Sequence, residues 1–82
     1  MSIEVEIFSR SGCHLCESAE NVIRLVGNEI AFDLKVTLID GDPDLEEKFG
    51  DQVPVTFING HQHDYFRVDR ERFKSALLRL HQ

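Results

Sequence analysis

The sequence of 82 residues is 41% hydrophobic and 29% charged, which sets the expectation of a single domain over residues 1–82 with one modest core. Fifteen acidic residues against nine basic ones give a net charge of −6, which repels phosphate backbones and anionic lipid, and so argues against nucleic acid or a membrane as partner. No run approaches the roughly 18 consecutive apolar residues that cross a bilayer. The opening MSIEVEIF carries acidic residues where a secretory signal carries basic ones, so the expected compartment is the cytoplasm.

In chain order, Ile3, Val5 and Ile7 alternate with Glu4 and Glu6, the period of two that predicts a strand over residues 2–8. Leu15, Ala19, Val22, Ile23 and Val26 recur at helical spacing, and Gly27-Asn28 offers a stop able to take positive φ. Phe32, Leu34, Val36 and Leu38 alternate into a second strand that ends near Asp40. In DGDPD, Asp42 can cap a short helix that starts at Pro43 and runs to Phe49, with Gly50 closing it. VPVTFING is rich in β-branched and aromatic residues and ends in Asn59-Gly60, the signature of a hairpin joining two further strands. Asp69 can cap a last helix with Phe73, Ala76, Leu77 and Leu80 on one stripe.

The resulting order, βαβαββα, makes the first strand-helix-strand unit parallel and right-handed and the hairpin antiparallel. An α/β protein with a four-stranded mixed sheet flanked by helices follows, although these rules leave the polarity of the third strand open. Arg67, Arg70, Arg72, Lys74 and Arg79 gather late in the chain. They read as a solvated helix face with cations toward its C-terminal dipole end.

Cys13 and Cys16 are the only cysteines, and they fall just past the carboxyl end of the first strand, where open α/β sheets place their sites. A structural disulfide is a weak reading, because a bridge closing two intervening residues removes little loop entropy and the cytosol is reducing. At a helix start, unpaired amides favour an anion, and Gly12 allows close backbone approach, so a thiolate at Cys13 is stabilised. Cys16, one turn on and on the same side, can then attack a mixed disulfide formed at Cys13. His14 can add positive charge beside the thiolate, and Arg10 can steady it or a substrate carboxylate; each is also readable as an exposed spectator. Leu15 reads as a surface or packing residue. Glu6 points away from the face of Val5 and Ile7 and is expected to be solvated.

Cys13, Cys16, His61 and His63 are the right inventory for zinc, but a His-x-His spacing does not match structural sites. The hairpin turn also lies a strand length from the cysteines, roughly 3.4 Å per residue over about five residues. No metal is expected there, and His61 and His63 are expected as exposed residues on an edge strand.

FSRSGCHLC resembles the glutaredoxin active-site segment, VPVTFING resembles the glutaredoxin valine-proline strand and hairpin, and DPDLEEKFG is similar to the matching stretch of a small glutaredoxin-like family. The sequence thus resembles glutaredoxin-like members of the thioredoxin superfamily, here with a Cys-His-Leu-Cys motif. The resemblance implies a thioredoxin-like, glutaredoxin-type fold with strand order two, one, three, four and the third strand antiparallel to the first. It also implies a cis Val53-Pro54 bond beside the cysteines, Cys13 as nucleophile and Cys16 as resolving thiol. Val53 and Pro54 would form a shelf that pairs with an extended peptide such as glutathione.

Two features depart from the family. The usual prolyl-aromatic pair between the cysteines is His14-Leu15, and the Gly-Gly segment that closes over glutathione is replaced by HDYFRVDRE. Arg67, at the end of a fourth strand returning to the cysteine end, can hold a glutathione carboxylate, though a surface salt bridge is the expected fate. The substrate-binding set is therefore Arg10, His14, Val53, Pro54 and Arg67.

The expected activity is that of a monomeric thiol-disulfide oxidoreductase acting on disulfide-containing or glutathionylated proteins. It would need no tightly bound cofactor and would use glutathione as co-substrate. The alternatives are a non-catalytic thioredoxin-fold adaptor and a glutathione-ligated iron-sulfur protein.

Overall fold

The computed structural model describes residues 3–80, so the expected strand start at residue 2 lies outside the described residues. The elements are β1 (Glu4–Ser9), α1 (His14–Gly27), β2 (Asp33–Leu38), α2 (Pro43–Phe49), β3 (Val55–Ile58), β4 (His61–Tyr65) and α3 (Arg70–Leu80). The strands form one sheet in the order β2-β1-β3-β4. β1 is parallel to β2 and antiparallel to β3, and β3 is antiparallel to β4. The polarity left open by the element order is thus the one implied by the resemblance. No described helix is long and apolar enough to cross a membrane.

The sheet is covered unequally. On one face Ile3, Val5, Ile7 and Ile58 meet Ala19, Ile23 and Val26 of α1 and Phe73 and Leu77 of α3. At about 1.5–3 kcal/mol for each large apolar side chain removed from water, this face holds most of the folding energy. On the other face α2 buries no residue fully. Phe49 instead stacks on Phe8 at 4.7 Å and meets the edge of Phe57 at 5.9 Å. What sets α2 is its start: Asp42 Oδ1 accepts the amides of Asp44 at 3.1 Å and Leu45 at 3.2 Å, ahead of Pro43 in the first turn.

The hairpin turn matches its sequence signal, with φ of 50° at Asn59 and 83° at Gly60. Asn59 also ties the turn to β1, because its side-chain oxygen accepts the Glu4 amide at 2.8 Å and its own amide donates to the Glu4 carbonyl at 2.7 Å.

Three expectations need correction. Helix α1 does not stop on a positive φ: Asn28 is right-handed at φ −74°, its amide reaching the Leu25 and Val26 carbonyls. Gly27 matters for space, since a Cβ there would stand 3.3 Å from the Phe32 ring. His63 is not simply exposed. Thr56 and Phe57 face Asp64 and Gln62, so His63 is the extra residue of a bulge and turns its half-buried ring onto Phe73 at 5.8 Å. Finally, Arg70 and Arg72 lie at the N-terminal rather than the C-terminal end of α3, and each is offset by a carboxylate. Arg70 and Lys74 grip Glu29 at 3.3 and 3.0 Å, and Arg72 reaches Asp64 at 3.5 Å.

Candidate active site

The loop from β1 to α1 is fastened before it reaches Cys13. The Ile39 amide donates to the Ser9 carbonyl at 2.9 Å, extending the β1–β2 pairing past both strand ends. Asp40 then accepts the Ser11 amide at 2.9 Å. The Ser11 hydroxyl, the Ser11 amide and the nearby Arg10 charge hold this carboxyl below the usual carboxylate range. Gly12 follows at φ 71°, a left-handed turn that glycine takes without penalty, and the chain enters α1. The sequence marked Asp40 only as a strand end; the signal for its role is a carboxylate two residues past a strand parallel to the one that feeds the cysteines.

Cys13 is the N-cap of α1, in extended conformation at φ −95° and ψ 116°. Its sulfur is half-exposed and accepts the Cys16 amide at 3.3 Å, taking the place of the oxygen of a usual cap. Cys16 is 1% exposed and faces the sheet with Ala19, Ile23 and Val26. Burial pushes its thiol up to about 11; hydrogen bonding and charge from Cys13 push the same way, while the Arg10 amide and the Ser9 hydroxyl oppose them. Both cysteines are free thiols. One sulfur is half-exposed and accepts a single helix amide, and its neighbour is buried one turn on.

The bond between Val53 and Pro54 is cis. Phe8 pairs with Val55, so continuing that register sets Pro54 level with Ser9, at the end of the sheet where α1 begins. Pro54 is buried and Val53 half-buried. Their loop is tied at both ends: the Gln52 and Val53 amides donate to the Phe49 carbonyl at 2.8 and 3.0 Å, and the Gln52 carbonyl accepts the Phe66 amide at 3.1 Å. The Val53 amide is therefore committed within the protein, which takes out of play one group that an extended peptide would pair with.

The remaining sequence-derived residues divide. His14 has a side chain 99% exposed and leans on Glu17, with Nδ1 3.8 Å from Oε2. The exposed Arg10 guanidinium reaches toward α2, where a Cβ on Gly50 would stand 3.3 Å from Nη2. Arg67 is exposed, and among the described residues it makes no ion pair within 4 Å, contrary to the surface bridge expected for it. β4 runs in the direction of β1, so Arg67 lies at the cysteine end, but two strands across, about 10 Å by strand spacing. Cys13 and Cys16 are joined by the Cys16 amide, Val53 and Pro54 lie at the same end of the sheet, and Arg10 and Arg67 are at that end too.

Sequence reasoning missed what precedes Arg67. Phe66 holds φ 67°, and the Arg67 amide donates to the Tyr65 carbonyl at 2.8 Å, the closure of a γ-turn that bulky residues rarely adopt. The turn sets the exposed rings of Tyr65 and Phe66 5.0 Å apart, tilted by 59°, beside a depression of about 440 Å³ that Arg67 also lines. An aromatic ledge thus occupies the stretch where the family's Gly-Gly segment was expected.

Glu6 is neither free nor near the thiols. It lies on the opposite sheet face, half-buried, accepting the Thr37 hydroxyl at 2.8 Å with Lys35 at 3.9 Å. His61 pairs with Ile58 at the turn end of the sheet, away from the cysteines. Among the described residues no three His, Cys, Asp or Glu side chains gather as a metal site.

Residues 4–78 match the model of the glutaredoxin-like domain family (DUF836). An uncharacterised protein of Mycobacterium tuberculosis is 31% identical over 81 residues, covering 93% of this chain and 84% of that one. A protein of Nitrosomonas europaea with a solution structure superposes with a TM-score of 0.81 at 28% identity, over 94% of this chain and 93% of that one. The crystal structure of a protein from X. campestris gives 0.78 at 28% identity, over 92% and 96%. A thioredoxin of Halobacterium salinarum, at 20% identity and a TM-score of 0.64 over 93% and 72%, shares the fold. With its mixed four-stranded sheet, its flanking helices and a family match running nearly end to end, this chain belongs to the glutaredoxin-like domain family of the thioredoxin superfamily.

Proposed function

We propose that the protein is a thiol-disulfide oxidoreductase cycling between the Cys13/Cys16 dithiol and disulfide. The observation that carries this reading is the inequality of the two sulfurs: Cys13 is half-exposed at the helix cap, and Cys16 is buried one turn behind it with its amide donating to the Cys13 sulfur at 3.3 Å. The Cys13 thiolate attacks a substrate disulfide; a bond forms from Cys13 to one substrate sulfur, and the other sulfur leaves with the electron pair and takes up a proton. Cys16 then displaces the bound sulfur, leaving the substrate reduced and the protein oxidised. Two equivalents of a reducing thiol such as glutathione, or a reductase, restore the dithiol. The cycle uses no resident cofactor and suits a single chain in a reducing compartment such as the cytoplasm.

Protein disulfides and glutathionylated proteins are the proposed substrates. The committed Val53 amide and the Tyr65-Phe66 ledge weigh against tight capture of glutathione itself. Val53 and Pro54 form the shelf beside the attacking sulfur, His14 lies on the approach to it, and Arg10 and Arg67 are the cations that an acidic group on the substrate would meet.

A turnover assay with two electron sources, glutathione with its reductase and thioredoxin reductase, tests the reading. Turnover with at least one source is expected. Cys13→Ser should abolish it, and Cys16→Ser should spare a route resolved by glutathione. No turnover with either source would overturn the enzyme in favour of an adaptor.

A further inference from the structure

Three buried side-chain polar atoms lack a hydrogen-bond partner among the described residues: Ser9 Oγ, Thr56 Oγ1 and His63 Nε2. Leaving such a group unpaired costs about 1–3 kcal/mol, so each calls for an explanation. Of the three, only the Ser9 hydroxyl lies at the cysteine end of the sheet, on the face that α1 covers with Cys16. Ser9 is 1% exposed, the last residue of β1, on the inward face it shares with Val5 and Ile7; Cys16 comes down onto that face from α1. A hydroxyl donates weakly to a neutral thiol and strongly to a thiolate.

We infer that Ser9 serves the second half of the cycle: its hydroxyl lies idle against the neutral Cys16 thiol and donates a hydrogen bond to the Cys16 thiolate as that sulfur attacks the Cys13 mixed disulfide. The inference rests on the dithiol reading above and names a residue for its resolving step. In that step the Cys16 proton passes to solvent, and the sulfur's electron pair forms the Cys13–Cys16 bond. The bond from Cys13 to the substrate sulfur breaks, and that sulfur departs with its pair and is protonated. Ser9 keeps its own proton throughout.

The timing follows from what surrounds Cys16. Burial, hydrogen bonding to Cys13 and the charge of Cys13 all hold Cys16 protonated, whereas the Arg10 amide and the Ser9 hydroxyl favour its anion. Once Cys13 is tied up in a mixed disulfide, its sulfur no longer shares a proton with Cys16. Burial is then opposed by two donors, of which the amide is fixed backbone and the hydroxyl is free to turn. A serine at an inward position of an alternating strand, four residues before the first cysteine, is the sequence signal.

The test uses the full chain and a chromogenic aromatic disulfide, dithiobis-nitrobenzoate, which releases one coloured thiolate when Cys13 attacks and a second when Cys16 resolves. Ser9→Ala and Ser9→Val should leave the first phase within about twofold and slow the second about tenfold, the size expected for losing a hydrogen bond to a charged group. Ser9→Thr, which matches valine in shape but keeps the hydroxyl, should restore the second phase. Equal second phases in all four proteins, or both phases slowed alike, or valine and threonine behaving the same, would overturn the role of Ser9. A parent protein with a first phase and no second would instead overturn the dithiol cycle, and this inference with it.

Discussion

At Cys16, burial and the neighbouring sulfur push the thiol up to about 11, so the Cys16 thiolate is scarce near neutral pH. Cys13, half-exposed with only the Cys16 amide on its sulfur, suffers no such burial. Brief treatment of the reduced protein with iodoacetamide near neutrality should therefore label Cys13 at least about a hundredfold faster than Cys16, read by peptide mass spectrometry. Comparable labelling of both would mean that Cys16 is neither buried nor neutral. His63 supplies a second residue-scale test. Burial lowers its affinity for a proton below the ordinary value of 6.5, the Arg72 charge adding to this and the Asp64 charge opposing it. As pH falls below about 6.5 the unfolded chain takes up this proton before the folded one does, so stability is complete above that value and declines below it. The urea midpoint should drop between about pH 7 and about pH 5, and His63→Phe should remove most of that drop. Losses through Glu29 and Asp40, whose carboxyls are held low, belong to more acidic solutions and would survive the substitution.

Among the elements, α2 depends most on a single interaction. It has seven residues and no fully buried side chain, and it is held by the Asp42 cap and the stack of Phe49 on Phe8. Asp42→Ala should cost about 1 kcal/mol. In a domain of this size that lowers the melting temperature by about 4–8 °C, measurable by circular dichroism; an unchanged melting temperature would mean the cap is idle. That cap was legible in the sequence because the Asp-Pro pair carries its own geometry, as were the Asn59-Gly60 turn and the alternation of β1. Local chemistry sufficed at each of them. It did not suffice where the outcome depends on how distant residues align. The bulge that turns His63 inward exists only once β4 is counted against β3. Asp40 finds Ser11 only because β1 and β2 run side by side. Phe66 enters a γ-turn that nothing in Tyr-Phe-Arg requires, where its amide is fastened to Gln52 beside the cis bond. The Cys-x-x-Cys and Val-Pro landmarks were readable, but the committed Val53 amide and the idle Ser9 hydroxyl were not.

Over the whole molecule, the site lies where the ends of β1 and β4 and the start of β3 come together, on a chain whose net charge is −6. Arg70, Arg72 and Lys74 of α3 are spent on Glu29 and Asp64, whereas Arg10 and Arg67 at the cysteine end make no ion pair among the described residues. The field around an acidic protein is thus locally relieved at the cysteine end. The core behind the site is one-sided, and the face under α1 and α3 that buries Cys16 is the same one that holds the fold together. The unequal exposure of the two sulfurs is consequently a property of the fold. The most direct measurement is capture of oxidised glutathione by single-cysteine variants, read as an adduct on the intact protein. Cys16→Ser should acquire one glutathionyl group, on Cys13, and keep it, while Cys13→Ser should acquire none in the same time. An adduct forming as fast on Cys16 in the Cys13→Ser variant, or no adduct on either variant, would contradict the assignment of attack to Cys13 and resolution to Cys16.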